Sequence, residues 1–187
     1  EKGVPLSDED RIRAFTDLLA WELTQPDAEG NNFWSGDVSI LFFATMKNDT
    51  ELVRALLRLV DRIPDLEKRR RLIDSRVRNK NGIPEVGLTG GISALSIAML
   101  NGNTATVAAL LEAGAPPEMR GWRGADPLMY ACISGHLEAA RFWLKRFPDW
   151  DVNKNRDSVA LLQRNHRVVH RLEIVSSRLD LERRLVS

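Results

Sequence analysis

The chain has 187 residues, of which 27 are basic and 26 acidic, and its formal net charge is +1. A chain of this length buries about 70% of its unfolded surface, which is enough for one elongated core. The balanced charge gives no support to a polyanionic partner, and the longest apolar run, 38–46, is far shorter than the roughly 20 residues that span a bilayer.

Cysteine usage and the N-terminus bear on compartment. The single cysteine, Cys132, excludes an internal disulfide and favours a reducing environment, so we expect an intracellular protein, cytoplasmic or nuclear. No signal peptide is recognised, and a chain that begins with Glu1 leaves open a longer parent protein.

The N-terminal segment predicts a helix over 7–24. Ser7 and Asp10 have the spacing of a capping box, apolar residues then recur at helical spacing, and Pro26 ends the run. These apolar positions are Ile12, Phe15, Leu18, Leu19 and Leu23. We expect residues 1–34 to form a helical cap on the unit that follows.

Two later stretches repeat at an offset of 33 residues, a period that indicates stacked supersecondary units. Ser93 can cap the first helix of one unit, and Gly102 can end that helix in the left-handed region. Asp126 and Gly135 can do the same in the next unit. Second helices are predicted over 104–113 and 137–146. The matching positions are Gly91 and Gly124, Ala94 and Pro127, Leu95 and Leu128, Ala98 and Ala131, Gly102 and Gly135, and Leu111 and Leu144.

A third copy precedes these two, with a different spacing. Residues 39–44 align with 93–98, and Asn48 occupies the position of Gly102. Asn suits this position because, after Gly, it is the residue that best tolerates left-handed backbone. Ala44 and Ala98 are 54 positions apart, so this period contains 21 more residues than the next. We therefore expect a helix pair in 35–62 and an enlarged basic connection in 63–90.

Each unit resembles the ankyrin repeat, in which Gly-x-Thr-Pro-Leu-His-x-Ala opens a helix pair. The tetrapeptide reads Ser-Ala-Leu-Ser at 93–96 and Asp-Pro-Leu-Met at 126–129. The resemblance implies an all-α solenoid of stacked helix pairs, with short β-hairpin fingers and helical caps. The segments would be a cap at 1–34, repeats at 35–62, 91–123 and 124–156, the basic connection at 63–90, and a degenerate repeat or C-terminal capping helix at 157–187.

The resemblance also implies a function without catalysis, as a scaffold or adaptor that binds a protein partner through its fingers and a concave helix face. We expect no cofactor and no catalytic group. Cys132 and His136 belong to no recognised nucleophile motif, and the glycine-rich run 87–91 lacks the Gly-Lys-Ser/Thr ending of a phosphate loop. A metal site is not expected either, because arginines interleave with the residues that share one helical face, His166, His170 and Glu173.

The candidate partner-binding residues lie in two places. Arg120, Trp122 and Arg123 surround the hairpin tip predicted between two repeats, and Trp and Arg are enriched at binding hot spots. The competing interpretation is that Trp122 folds back over the neighbouring finger. Arg76 and Arg78 follow the basic run 68–71, and we expect either an acidic protein contact or a solvated helix and finger there.

Anion or nucleic-acid binding through 68–80 is the alternative function. Acidic residues interspersed with the basic ones argue against it, as does the lack of an aromatic side chain on which bases could stack. A nucleic-acid partner is therefore not expected.

Overall fold

The computed structural model describes residues 7–24, 39–77, 90–118, 120–121 and 124–152. Within these ranges it contains no extended strand, only one isolated antiparallel bridge, between Arg76 and Ser93. The described helices are α1 (Asp8–Thr24), α2 (Ile40–Met46), α3 (Thr50–Asp61), α4 (Leu66–Ile73), α5 (Ala94–Leu100), α6 (Thr104–Glu112), α7 (Pro127–Ser134) and α8 (Leu137–Arg146).

Six of these helices form three consecutive pairs, α2 with α3, α5 with α6 and α7 with α8. The first helices α2, α5 and α7 pack against one another in series, and the second helices α3, α6 and α8 do the same. Each first helix begins at a capping residue: Ser39, Ser93 and Asp126 accept from backbone N–H groups at 3.4, 3.1 and 2.9 Å, as predicted for Ser93 and Asp126. The predicted all-α stack of helix pairs is confirmed.

The turn within each pair uses left-handed backbone at the same place. The φ angles are 59° at Asn48, 70° at Gly102 and 81° at Gly135, as the sequence predicts. At Gly102 the need for glycine is twofold, because a Cβ atom there would also lie 2.5 Å from the His136 ring of the next repeat.

One core runs through all three pairs and includes the N-terminal helix. Ala44, Ala98 and Ala131 are fully buried at equivalent positions, and Leu19 of α1 is 1% exposed in the same cluster. Arg11 of α1 donates to Asp49 Oδ2 at 2.9 Å, and Asp49 caps α3 through its other oxygen. Helix α1, which was predicted from the sequence, therefore packs on the first helix pair.

The extra length of the first period is divided among three places. Helix α3 has 12 residues where α6 has 9, and α4 adds a helix of 8 residues for which the next period has no counterpart. The rest lies between Val77 and Ile92, a segment that we name the first finger. Val77 N–H donates to Ile92 O at 3.0 Å and Gly121 N–H donates to Ala125 O at 2.8 Å, so equivalent hydrogen bonds join the ends of the first finger and of the shorter second finger, between Gly121 and Ala125.

A set of polar side chains joins the first two pairs at their turns. Asn103 Nδ2 donates to Asn48 Oδ1 and Thr50 Oγ1, both at 2.8 Å, while its Oδ1 caps α6 by accepting from the N–H of Thr106 at 3.0 Å. The hydroxyls of Thr50 and Thr106 are themselves 3.0 Å apart. Neighbouring repeats are thus linked by hydrogen bonds as well as by apolar packing.

Aromatic rings close the C-terminal part of the described stack. Trp143 is fully buried, and the rings of Phe147 and Trp150 lie 4.8 and 5.1 Å from it. Trp150 Nε1 donates to Asp126 Oδ2 at 3.3 Å. The predicted unit 157–187, with His166, His170 and Glu173, lies outside the described residues.

Candidate functional site

Two of the predicted binding residues occupy equivalent positions in neighbouring fingers. Arg76 directly precedes Val77, and Arg120 directly precedes Gly121, the residues whose N–H groups close the two hairpins. Arg76 also pairs with Ser93 in the isolated bridge, which fixes its backbone beside the start of α5. A periodic backbone therefore presents one arginine from each finger.

The two fingers approach each other closely, and glycine permits this approach. A Cβ atom on Gly91, whose φ is 79°, would lie 3.1 Å from the Cα atom of Gly121. On its other side Gly121 is covered by Tyr130 of α7, so that a Cβ atom on Gly121 would collide with the tyrosine hydroxyl. The base of the second finger is therefore held between the first finger and its own first helix.

The two arginines differ in their surroundings. Arg76 is half-buried and its guanidinium lies 3.9 Å from the carboxylate of Asp74, whereas Arg120 is exposed. The other three predicted binding residues, Arg78, Trp122 and Arg123, lie outside the described residues. The structure thus relates Arg76 to Arg120 and leaves the contribution of the tips as a prediction.

A row of apolar side chains on the first helices was not predicted. Met46, Leu100 and Ile133 stand at equivalent positions near the ends of α2, α5 and α7, and each is half-buried. The signal was present in the sequence, because the offsets of 54 and 33 residues relate these three positions. Each of the three repeats thus places one half-exposed apolar residue near the end of its first helix. We name these three residues the first-helix row.

The basic run 68–71 lies on α4 and is partly used by the fold. Arg69 donates to the carbonyl of Ile63 at 2.7 Å and pairs with Asp61 at 3.4 Å, while Leu72 and Ile73 bury the apolar side of the helix. The N–H of Lys68 donates to Asp65, and this hydrogen bond lowers the pKa of the Asp65 carboxyl. Helix α4 is therefore a capped amphipathic helix.

Of the groups considered for chemistry, the structure describes Cys132 and His136. Cys132 is fully buried in the core, and exposed His136 precedes α8 without making a side-chain cap. Across the described residues no cluster of His, Cys, Asp and Glu could hold a metal ion. Among the described helices, none combines the length and hydropathy needed to cross a bilayer.

Comparisons with known proteins agree with this architecture. A chain in the crystal structure of the yeast ribosomal protein Rps3 in complex with its chaperone Yar1 superposes with a TM-score of 0.55 at 24% sequence identity, over 79% of this chain and 99% of that one. No curated protein matches the sequence.

A model of ankyrin repeats in three copies matches residues 41–156, which span the three helix pairs and both fingers. Ankyrin repeats are protein-interaction modules, and the family is generally non-catalytic. The chain belongs to the ankyrin-repeat family.

Proposed function

We propose that this chain is a non-catalytic scaffold or adaptor that binds a protein partner through its hairpin fingers and its first helices. The observation that carries the proposal is the common period of two surface features. Arg76 and Arg120 repeat in the fingers, and the first-helix row repeats with the same period at the ends of the first helices. A partner that covers both the fingers and the first helices would meet charged and apolar groups in successive repeats.

The physical case rests on what each feature gains from binding. Half-buried aliphatic side chains lose further water contact when a partner covers them, and each Å² of apolar surface removed from water contributes about 25 cal/mol. Arginine adds planar, multiply donating contacts and is enriched at hot spots. Leu100 and Ile133 would supply the apolar part, and Arg120 the polar part.

The matched yeast structure holds a chaperone, Yar1, in complex with a ribosomal protein, Rps3. At 24% identity the likeness carries the fold and not the partner. A cytoplasmic or nuclear location of this chain stays a prediction, supported by a single cysteine, which cannot form an internal disulfide.

The experiment compares captured partners of the wild-type chain with those of a surface variant in which Leu100→Gln and Arg120→Ala are combined. Arg13→Ala on the exposed side of α1 is the control, because it removes one arginine away from the fingers. Proteins captured by the wild type and the control, and lost from the surface variant with an unchanged thermal melt, would support the proposal. An identical set from all three chains would refute it.

The salt dependence of binding distinguishes the proposed protein contact from the alternative function, anion or nucleic-acid binding. Nucleic-acid binding through 68–80 weakens log-linearly with salt, whereas a protein contact anchored by apolar side chains does not. The partner identified by capture is purified and titrated against the chain over a range of salt concentrations. A steep log-linear loss of affinity would favour the anion-binding alternative.

A further inference from the structure

A groove of about 650 Å³ lies between α3, α4 and α6, which are the second helices of two repeats and the inserted helix. None of the fingers or first helices contributes to its lining. We name it the outer groove. It exists because the insertion places α4 beside α3, and the next period has no equivalent helix.

The floor of the outer groove is apolar. Leu57, Val60 and Ile73 are buried with their edges at the groove, and Ala109 of α6 and Ala113, the residue directly after α6, line the facing wall. The shape depends on these two small residues. Phe and Arg stand 33 positions later, at 142 and 146, so the corresponding wall of α8 is bulkier.

The rim carries positive charge that the fold does not use. Arg54 and Arg58 lie four residues apart on one face of α3. Arg58 is exposed and makes no ion pair with the residues that the structure describes, while Arg54 contacts only the exposed Glu51, at 3.1 Å. An exposed pair of this kind contributes little and is readily exchanged for another carboxylate.

Two acidic residues also line the groove. Asp61 is already paired with Arg69 at 3.4 Å, and this pair joins α3 to α4. Glu112 lies on the opposite wall, at the end of α6. Positive charge on the α3 side therefore comes from Arg58, which has no ion pair with a described residue, and from Arg54, whose partner Glu51 is exposed.

We infer that the outer groove binds an acidic segment of a protein partner that carries aliphatic side chains. The aliphatic groups would lie over Leu57 and Ile73, and the carboxylates would bond Arg54 and Arg58. An amphipathic helix lays its apolar face into a hydrophobic groove in the same way. This surface is separate from the fingers and first helices, so the inference goes beyond the proposed function and gives the chain a second docking surface.

Nucleic acid fits the same groove less well. No aromatic side chain lines the groove to stack with a base. The apolar floor would have no role in backbone binding. A protein segment uses both the floor and the rim.

The test uses fluorescence anisotropy with the full chain and defined probes. The main probe is a fluorescein-labelled, helix-forming peptide of Glu and Ala with two leucines four residues apart. One matched probe has serine in place of both leucines, and a third is a labelled oligouridine. The variants are Arg58→Glu, which reverses a rim charge, and Ala109→Phe, which fills the groove with the residue type of the next repeat. Arg13→Glu makes the same charge change on α1.

The expected result is saturable binding of the leucine peptide by the wild type and by Arg13→Glu, with a loss of about tenfold or more in Arg58→Glu because like charges would then face each other. Ala109→Phe should lose binding too, at an unchanged circular dichroism spectrum. Should Ala109→Phe fail to fold, Leu57→Gln at the floor replaces it. Equal binding of the serine peptide, tighter binding of oligouridine, or no binding of the leucine peptide at millimolar concentration would each overturn the inference. The finger variants should leave this probe's affinity unchanged, which separates its failure from that of the proposed function.

Discussion

Trp150 donates its indole N–H to Asp126 Oδ2 at 3.3 Å, while Asp126 Oδ1 caps α7 by accepting from Met129 N–H at 2.9 Å. Asp126 is 4% exposed. Its carboxylate thus caps a first helix and also accepts a hydrogen bond from a side chain that follows the second helix of the same pair. The start of the third repeat is thereby linked to its end.

We expect Asp126→Ala to lower the free energy of unfolding by roughly 2 kcal/mol, about half from the lost cap and half from the indole donor left without its acceptor. Asp126→Asn keeps an acceptor for Met129 and should cost less. Trp150→Phe removes only the donor and keeps the ring near Trp143. Urea denaturation measures all three, and equal losses for the Ala and Asn variants would contradict the shared role of the carboxylate.

Asn103 offers a second test of contacts between repeats. Asn103→Ala removes the cap of α6 and both donor bonds to the preceding turn, and we expect a cost of about 1–2 kcal/mol. Asn103→Asp preserves the cap and loses the donors, so its cost should be smaller. We expect amide hydrogen exchange at the Asn48 turn to be faster in both variants than in the wild type. Exchange that changes only within α6 would mean that the cap alone matters.

The packing of Gly102 against His136 predicts a coupling energy. Gly102→Ala suffers both left-handed backbone and overlap with the His136 ring, so we expect a loss of roughly 2–3 kcal/mol. His136→Ala in the same chain should relieve the overlap and give a coupling of about 1 kcal/mol in a double-mutant cycle.

Gly114 provides the matched control for that cycle. Its φ is 95° and a Cβ atom there would meet no heavy atom within 4 Å, so Gly114→Ala reports the cost of the backbone conformation alone, roughly 1 kcal/mol. Thermal melts of the wild type, the three variants of the cycle and Gly114→Ala give the comparison. If Gly102→Ala costs no more than Gly114→Ala, the close contact with His136 has no energetic weight.

The predicted hairpin tip gives a test that combines folding with binding. Changing Trp122→Ala together with Arg123→Ala should stay within about 0.5 kcal/mol of the wild type in stability, because an exposed tip adds few contacts. Loss of an aromatic hot spot should cost at least about 2 kcal/mol in affinity for the captured partner. A melt and a binding titration on one sample separate the two effects. A melting temperature lower by many degrees would make Trp122 a structural residue.

Features set by neighbouring residues along the chain were predictable. The caps at Ser93 and Asp126 and the left-handed positions at Asn48 and Gly135 depend on hydrogen bonds and backbone angles within one turn, which residue identity largely determines. All of these predictions are confirmed, and with them the helix pairs. The segment boundaries derived from the sequence stay predictions.

Features set by packing between distant residues were not predictable. The offset reveals 21 additional residues, but their division between α3, α4 and the first finger depends on how α4 packs beside α3. The hydrogen bond between Asp126 and Trp150 joins residues 24 positions apart and has no local signature. For the candidate site, Arg76 and Arg120 were identified singly, and their equivalence required the hairpin hydrogen bonds.

The placement of the added residues has a consequence for the surface that the first helices form. The sequence periods differ, 54 and 33 residues, yet every added residue enters after the first helix, in α3, around α4 or between Val77 and Ile92. The first helices still pack directly on one another. Met46, Leu100 and Ile133 therefore lie on first helices that are direct neighbours in the stack, although the chain between the first two residues is longer than the chain between the last two. A ligand that contacts all three would cross one repeat at each step.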